Sequence, residues 1–123
     1  MNDLLRFKKD QSYIVLDTET EGLNLVSSRP WQASWTVCRG NTIVSKHDHF
    51  IHWDNINVSP DAARITGFDK DHYYSKAEHP IQVFEKLSKY LYDPSFLVIG
   101  QNFLGFDVYM INVWRKMIGS LLF

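Results

Sequence analysis

Asp17-Thr18-Glu19 sits directly behind the apolar run Tyr13-Ile14-Val15-Leu16 and ahead of Thr20-Glu21-Gly22-Leu23. A short run of β-branched and apolar residues reads as a buried strand. Side chains two apart on a strand share a face, so Asp17 and Glu19 stand side by side at the end of a core strand. Like charges at that spacing raise each other's pKa and cost stability. A cation between them offsets that cost, and clustered hard oxygen ligands suit Mg²⁺ or Mn²⁺. The chemistry such an ion supports depends on whether the rest of the chain brings a third carboxylate to the same place.

The elements that would position these residues follow from the pattern of the chain. Residues 13–18 read as the first strand, with a loop from Glu21-Gly22 through Ser27-Ser28-Arg29-Pro30. Residues 31–39 and 42–51 read as two further strands, joined by the tight-turn signal Gly40-Asn41. Ser59-Pro60 opens a helix, with Ser as N-cap and Pro in the first turn, and Gly67 stops it. Residues 80–92 carry Ile81, Phe84, Leu87 and Leu91 at helical spacing, between Pro80 and Pro94. Phe96 to Gly100 is a short buried strand. From Phe106 onward Met110, Ile111, Trp114 and Met117 line one helical face that ends at Gly119.

The expected order is thus β-β-β-α-α-β-α, an α/β fold with a mixed sheet: a three-stranded antiparallel meander plus one parallel strand, flanked by helices. In open α/β sheets function gathers at the carboxyl ends of the parallel strands. Asp17 and Glu19 end the first of these, and Gly100-Gln101-Asn102 ends the fourth. Asp107, at the opening of the last helix, lies just beyond, so three carboxylates are expected to converge.

Composition sets the bounds. The 123 residues suffice for one domain with a real core and not for two, so residues 1–123 are read as a single domain. A net charge of −1 argues against a binder that lives on phosphate attraction alone, though not against an enzyme that meets phosphate through metal ions. The lone Cys38 excludes an internal disulfide and a cysteine-rich zinc site, and fits a reducing compartment. With no secretory h-region and no apolar run of membrane-spanning length, a soluble cytoplasmic protein with no membrane association is expected.

These segments together resemble the DnaQ-like, or DEDD, 3′→5′ exonucleases of the ribonuclease H-like fold. The family's D-x-E motif matches Asp17-Thr18-Glu19, and its N-x(2–3)-[FY]-D motif matches Asn102-Phe103-Leu104-Gly105-Phe106-Asp107. Ser59-Pro60-Asp61-Ala62-Ala63-Arg64-Ile65-Thr66-Gly67-Phe68 resembles the family segment between them. The resemblance runs from about residue 12 to 118. It implies a two-ion Mg²⁺ or Mn²⁺ site in which Asp17 bridges both ions, Glu19 holds the ion carrying the attacking water, and Asp107 holds the ion on the leaving-group side. It also implies that these three are the catalytic residues. Thr18, Thr20 and Gly22 would contact the 3′-terminal nucleotide and Leu23 would wedge against its base. Asn102 and Phe106 would support the second motif, and Phe103 would stack on a base. The implied partner is the 3′ end of single-stranded DNA or RNA, and the reaction is phosphodiester hydrolysis to nucleoside monophosphates.

The family's third motif, H-x(4)-D or Y-x(3)-D, supplies a fourth carboxylate and the general base. Residues 108–123 contain no Asp, Glu or His, and no Asp follows Tyr109. The chain therefore reads as the N-terminal, C-terminally truncated part of such a domain. Weak activity or inactivity alone is expected, and a non-catalytic remnant that binds nucleic acid or a partner is the second reading. Ile118, Leu121, Leu122 and Phe123 form an apolar end that would support a homodimer.

Other clusters read more plainly. His47 and His49 share a strand face that His52 does not, and are expected on a solvated face rather than around zinc. Asp69-Lys70-Asp71-His72 opens like a calcium loop but has Tyr74 at the sixth position and no closing Glu. Trp31, Trp35 and Trp114 are expected in the core, and Arg6, Lys8 and Lys9 on a frayed terminus.

Overall fold

The computed structural model describes residues 10–22, 24, 27–100 and 106–122, the last helix at 106–110 and 120–122 by its backbone alone. Its elements run β1 (Ser12–Thr20), β2 (Pro30–Arg39), β3 (Thr42–Phe50), α1 (Pro60–Thr66), α2 (Lys70–Lys76), α3 (Pro80–Leu91), β4 (Phe96–Gly100) and α4 (Phe106–Leu122). The four strands form one sheet in the order β3-β2-β1-β4, with β1 antiparallel to β2, β2 antiparallel to β3, and β1 parallel to β4. This is the expected α/β mixed sheet.

Alternation builds the sheet's inner face. Ile14, Leu16 and Thr18 of β1 are buried, while Val15, Asp17 and Glu19 between them are partly exposed. On β2, Trp31, Ala33, Trp35 and Val37 face the same way. Tyr73 of α2, Val83 and Leu87 of α3, and Trp114 of α4 join these residues in one apolar cluster. The expected Trp31, Trp35 and Trp114 are all in it, and Trp53 completes the set. Gly40 turns β2 into β3 at φ 56°, a backbone region that favours glycine. Ser59 caps α1 by accepting from the Ala62 amide, and Gly67 ends it at φ 75°.

β4, read as a buried strand, is last in the sheet order and exposes Leu97 and Val98. The structure departs from the sequence reading in four further places. First, α2 is an additional helix. Its start is the would-be calcium loop: the Asp69 carboxylate accepts from the Asp71 and His72 amides as an N-cap. Second, Gly119 does not end α4. Glycine inside a helix costs only about 1 kcal/mol, and Trp114, Met117 and Ile118 just before it pack on the core. Ile118 is thereby part of the core rather than of an exposed apolar end. Leu121, Leu122 and Phe123 lie outside the side chains described, as do residues 6, 8 and 9. Third, β1 continues to Thr20, two residues past the expected end at residue 18.

The fourth departure concerns the histidines. His47 and His49 do share a face, but it is the inner one. The His47 ring stacks on Trp35 at 5.0 Å and meets Tyr90 at 6.1 Å, and His49 lies 5.2 Å from Trp35. His49 Nδ1 pairs with the Glu78 carboxylate, whose other oxygen takes Lys86 at 3.0 Å. Burial, then neighbouring His49 and Lys86, hold His47 below the usual imidazole range. Among the described residues no helix is long and apolar enough to cross a membrane.

Candidate functional site

The candidate site forms where β1 and β4 end side by side. Their parallel register runs from Ser12 opposite Phe96 to Leu16 opposite Gly100. Asp17 is therefore the first β1 residue beyond the paired stretch, and the chain leaves β4 beside it. On the other side Asp17 lies opposite Ser34 and Glu19 opposite Gln32. These two pairs continue onto β3, where Ser34 Oγ and Gln32 Nε2 both donate to Asp48 Oδ1 at 2.8 Å. The face opposite the core is thus polar along this row and acidic at its β1 end.

Asp17 and Glu19 share that face, as their spacing predicts. Burial raises the Asp17 carboxyl above its usual range, with a bond from the Thr18 backbone opposing. A half-buried carboxyl held reluctantly as an anion, two residues from a second one, matches the donor set of a hard divalent cation. Thr18 and Thr20 point the other way, at 2% and 9% exposure. The Thr20 hydroxyl donates to the Gly22 carbonyl at 2.7 Å. What these threonines offer toward the open face is their backbone.

Asp107 lies in the first turn of α4, after the connection from β4. The side chain of Asp107 lies outside the description. Phe106 is in the same position, and Leu23, Asn102 and Phe103 lie outside the described residues. Among those described, no three His, Cys, Asp or Glu side chains gather as a metal site.

One pair at this end was not visible in the sequence. Glu21, read there as the start of a loop, is 8% exposed. Its carboxylate accepts four hydrogen bonds: from Arg29 N, Nε and Nη2, each at 2.9 Å, and from Asn57 N at 2.7 Å. No motif or period connects residues 21, 29 and 57, so only the folded chain shows the contact. Burial pushes Glu21 up, but Arg29 and the two amides outweigh it and hold the carboxyl below its ordinary value. The folded chain therefore binds this proton less tightly than the unfolded chain does. The stability it contributes is complete above the unfolded carboxyl value and disappears as pH falls through the lower folded value. Thermal melts from pH 7 to pH 3 should show wild type losing stability on acidification, with Glu21→Gln less stable at pH 7 and flatter across the acid range. Parallel curves would contradict this.

Comparison with solved structures decides the fold. A product-bound exonuclease I superimposes with a TM-score of 0.76 at 19% identity over 87% of this chain and 26% of its own. The fold is that of exonuclease I. The enzyme from Methylocaldum szegediense gives 0.72 at 20% identity over 80% of this chain and 22% of its own. The E. coli enzyme in complex with a dT13 oligonucleotide gives 0.75 at 21%, over 86% and 24%. This chain spans about a quarter of the length of the exonuclease I structures it matches. No protein-family model and no curated protein sequence matches it. The ribonuclease H-like arrangement of the mixed sheet is thereby established for this chain.

Proposed function

We propose that this chain is a metal-dependent 3′→5′ exonuclease-type domain acting on single-stranded DNA or RNA. The observation that carries the proposal is the placement of Asp17 and Glu19 on the open face at the carboxyl end of β1, beside the end of β4, in an exonuclease I fold. Asp17, Glu19 and Asp107 would hold Mg²⁺ or Mn²⁺. A bound pair of such ions generates a nucleophile from water and stabilises both oxygens of an in-line displacement at phosphorus. The residues of this chain then have three tasks. The carboxylates fix the ions, the backbone of Thr18 to Gly22 bounds the 3′-terminal nucleotide, and the buried threonine side chains keep that backbone against the core. The oligonucleotide-bound exonuclease I structure supports a single strand as ligand.

Residues 108–123 offer no carboxylate or imidazole for the general base. A general base contributes about 10²- to 10⁴-fold. The expected result with purified chain, Mn²⁺ and a labelled single-stranded oligonucleotide is metal-dependent 3′ shortening slower by that order than a complete site gives. Asp17→Ala should abolish it. A second reading, a non-catalytic binding domain, predicts oligonucleotide binding with no shortening at all. A chain that binds neither Mn²⁺ nor oligonucleotide would remove both readings.

A further inference from the structure

We infer that Glu21 and Arg29 are a positioning pair that holds the loop leaving the acidic strand end against the stretch ahead of α1, and so sets how tightly a single-stranded 3′ end is bound. The inference rests on the function proposed above and adds two residues to that site, neither of which touches the substrate.

Three chain segments meet at this pair. Beyond its bonds to Glu21, Arg29 donates from Nη1 to the Asp54 carbonyl at 3.2 Å and from Nη2 to the Asn55 carbonyl at 3.1 Å. Its guanidinium also lies 5.8 Å from the centre of the Trp53 ring. The backbone repeats the connection: Glu21 N donates to Arg29 O at 3.1 Å, and Ser59 N donates to Glu21 O at 2.7 Å. Ser59 is the N-cap of α1. Asn55 sits at φ 54°, a left-handed turn conformation that asparagine adopts more readily than other non-glycine residues. One carboxylate and one guanidinium therefore fasten residues 21, 29, 54, 55 and 57 to one another, and the Glu21 backbone carbonyl adds Ser59.

The chemistry of the pair suits positioning better than stabilisation. A buried ion pair carries a large desolvation cost, and an apolar pair of similar volume often stabilises a fold as well or better. What an apolar pair lacks is direction. The planar fork of Arg29 meets both oxygens of Glu21, and the remaining acceptor positions take backbone amides, so Glu21 and Arg29 have one permitted relative orientation. Glu21 follows Glu19 by two residues on a continuous chain. Any rotation of the loop therefore moves the backbone of Thr20 and Gly22 beside the acidic pair. Misplacements of about 1 Å at such a site are felt strongly.

The test uses Glu21→Gln and Arg29→Lys, with Glu78→Gln as a control that breaks the remote pair with His49 and Lys86. Binding of a fluorescent single-stranded oligo-dT is followed by anisotropy with Ca²⁺ as the divalent ion, and backbone amide exchange is measured on the same proteins. In the two site variants we expect on the order of tenfold weaker binding and faster exchange at Glu21, Asn57 and Ser59. The control should keep wild-type affinity even with a similar loss of melting temperature. If Glu21→Gln does not fold, Arg29→Lys, which keeps the charge and loses the fork, carries the test. Wild-type affinity in a folded site variant, or an equal loss in the control, overturns the inference alone. A wild-type chain that binds no oligonucleotide overturns the proposed function, and this inference with it.

Discussion

Trp114→Ala is expected to cost this chain about 3–5 kcal/mol, the range for deleting a buried aromatic side chain, and to loosen α4 from the sheet. Trp114 is fully buried and belongs to the cluster that includes Ile14 and Leu16 of β1 and Val83 and Leu87 of α3. Phe84 meets its ring edge-on at 5.0 Å, and its indole N–H donates to the Pro80 carbonyl at 3.2 Å. Truncation leaves a cavity between helix and sheet and removes the indole hydrogen bond. Domains of this size have only about 5–15 kcal/mol in total, so much of the margin is lost. Trp114→Phe should recover most of the packing and keep only the cost of the lost indole hydrogen bond, about 0.5–1.5 kcal/mol. Urea denaturation followed by fluorescence and far-ultraviolet circular dichroism measures both. Because Asp107 stands in the first turn of α4, the alanine variant should also weaken Mn²⁺ binding in the fraction that stays folded. A loss under 1 kcal/mol would mean that α4 does not dock as described.

What made α4 and β1 legible before folding was periodicity. Ile14 and Leu16 fall on one face and Asp17 and Glu19 beyond them on the other, so strand and face could both be read. Met110, Ile111, Trp114 and Met117 recur at helical spacing, so the helix could be read even though its end at Gly119 could not. Short elements held by single tertiary contacts leave no such trace. α2 is seven residues with one buried side chain, Tyr73, whose hydroxyl accepts from the Trp53 amide and donates to the Ile51 carbonyl. Its capping aspartate resembled the start of a cation loop because Asx capping and cation ligation draw on the same side chains.

The histidines show a different limit. Alternation correctly placed His47 and His49 on one face of β3, but a strand that is polar on both sides carries no sign of which side is inside. Tyr90 of α3 and Trp35 of β2 decide that, and both are distant in sequence. The Glu21–Arg29 contact is of the same kind. The two halves of the candidate site also differ. The acidic pair depends on spacing within one strand and was readable. The relation of Asp107 to that pair depends on how β4 pairs with β1 and on how α4 packs. The match to exonuclease I at about a fifth identity, with no family model matching, has the same origin. Sheet order and core volume tolerate many sequences, whereas local chemistry at the strand end tolerates few.

That chemistry predicts a reversal of stability. In buffer free of divalent ions, Asp17→Asn is expected to melt at a higher temperature than wild type, and with Mn²⁺ the order should invert. Burial raises the Asp17 carboxyl above its usual range. The folded chain thus binds that proton more tightly than the unfolded chain. Stability falls as pH rises from the unfolded carboxyl value through the folded one, and at neutral pH the whole penalty is present. Asparagine carries no such penalty and no longer repels Glu19. A bound cation reverses the sign for wild type: at a hundredfold excess over Kd it adds about 2.7 kcal/mol. For a chain of this length that is on the order of 10 °C in melting temperature. The variant lacks the proposed bridging oxygen and should show little of the rise. Lowering the pH should shrink the wild-type rise early, because the proton and the cation compete for a carboxylate that already favours its neutral form. Calorimetry with and without Mn²⁺ at pH 7.5 and pH 5.5 reads all four states. Equal Mn²⁺ shifts in wild type and variant would show that the ion binds elsewhere, and the strand-end carboxylates would then be ordinary solvated charges.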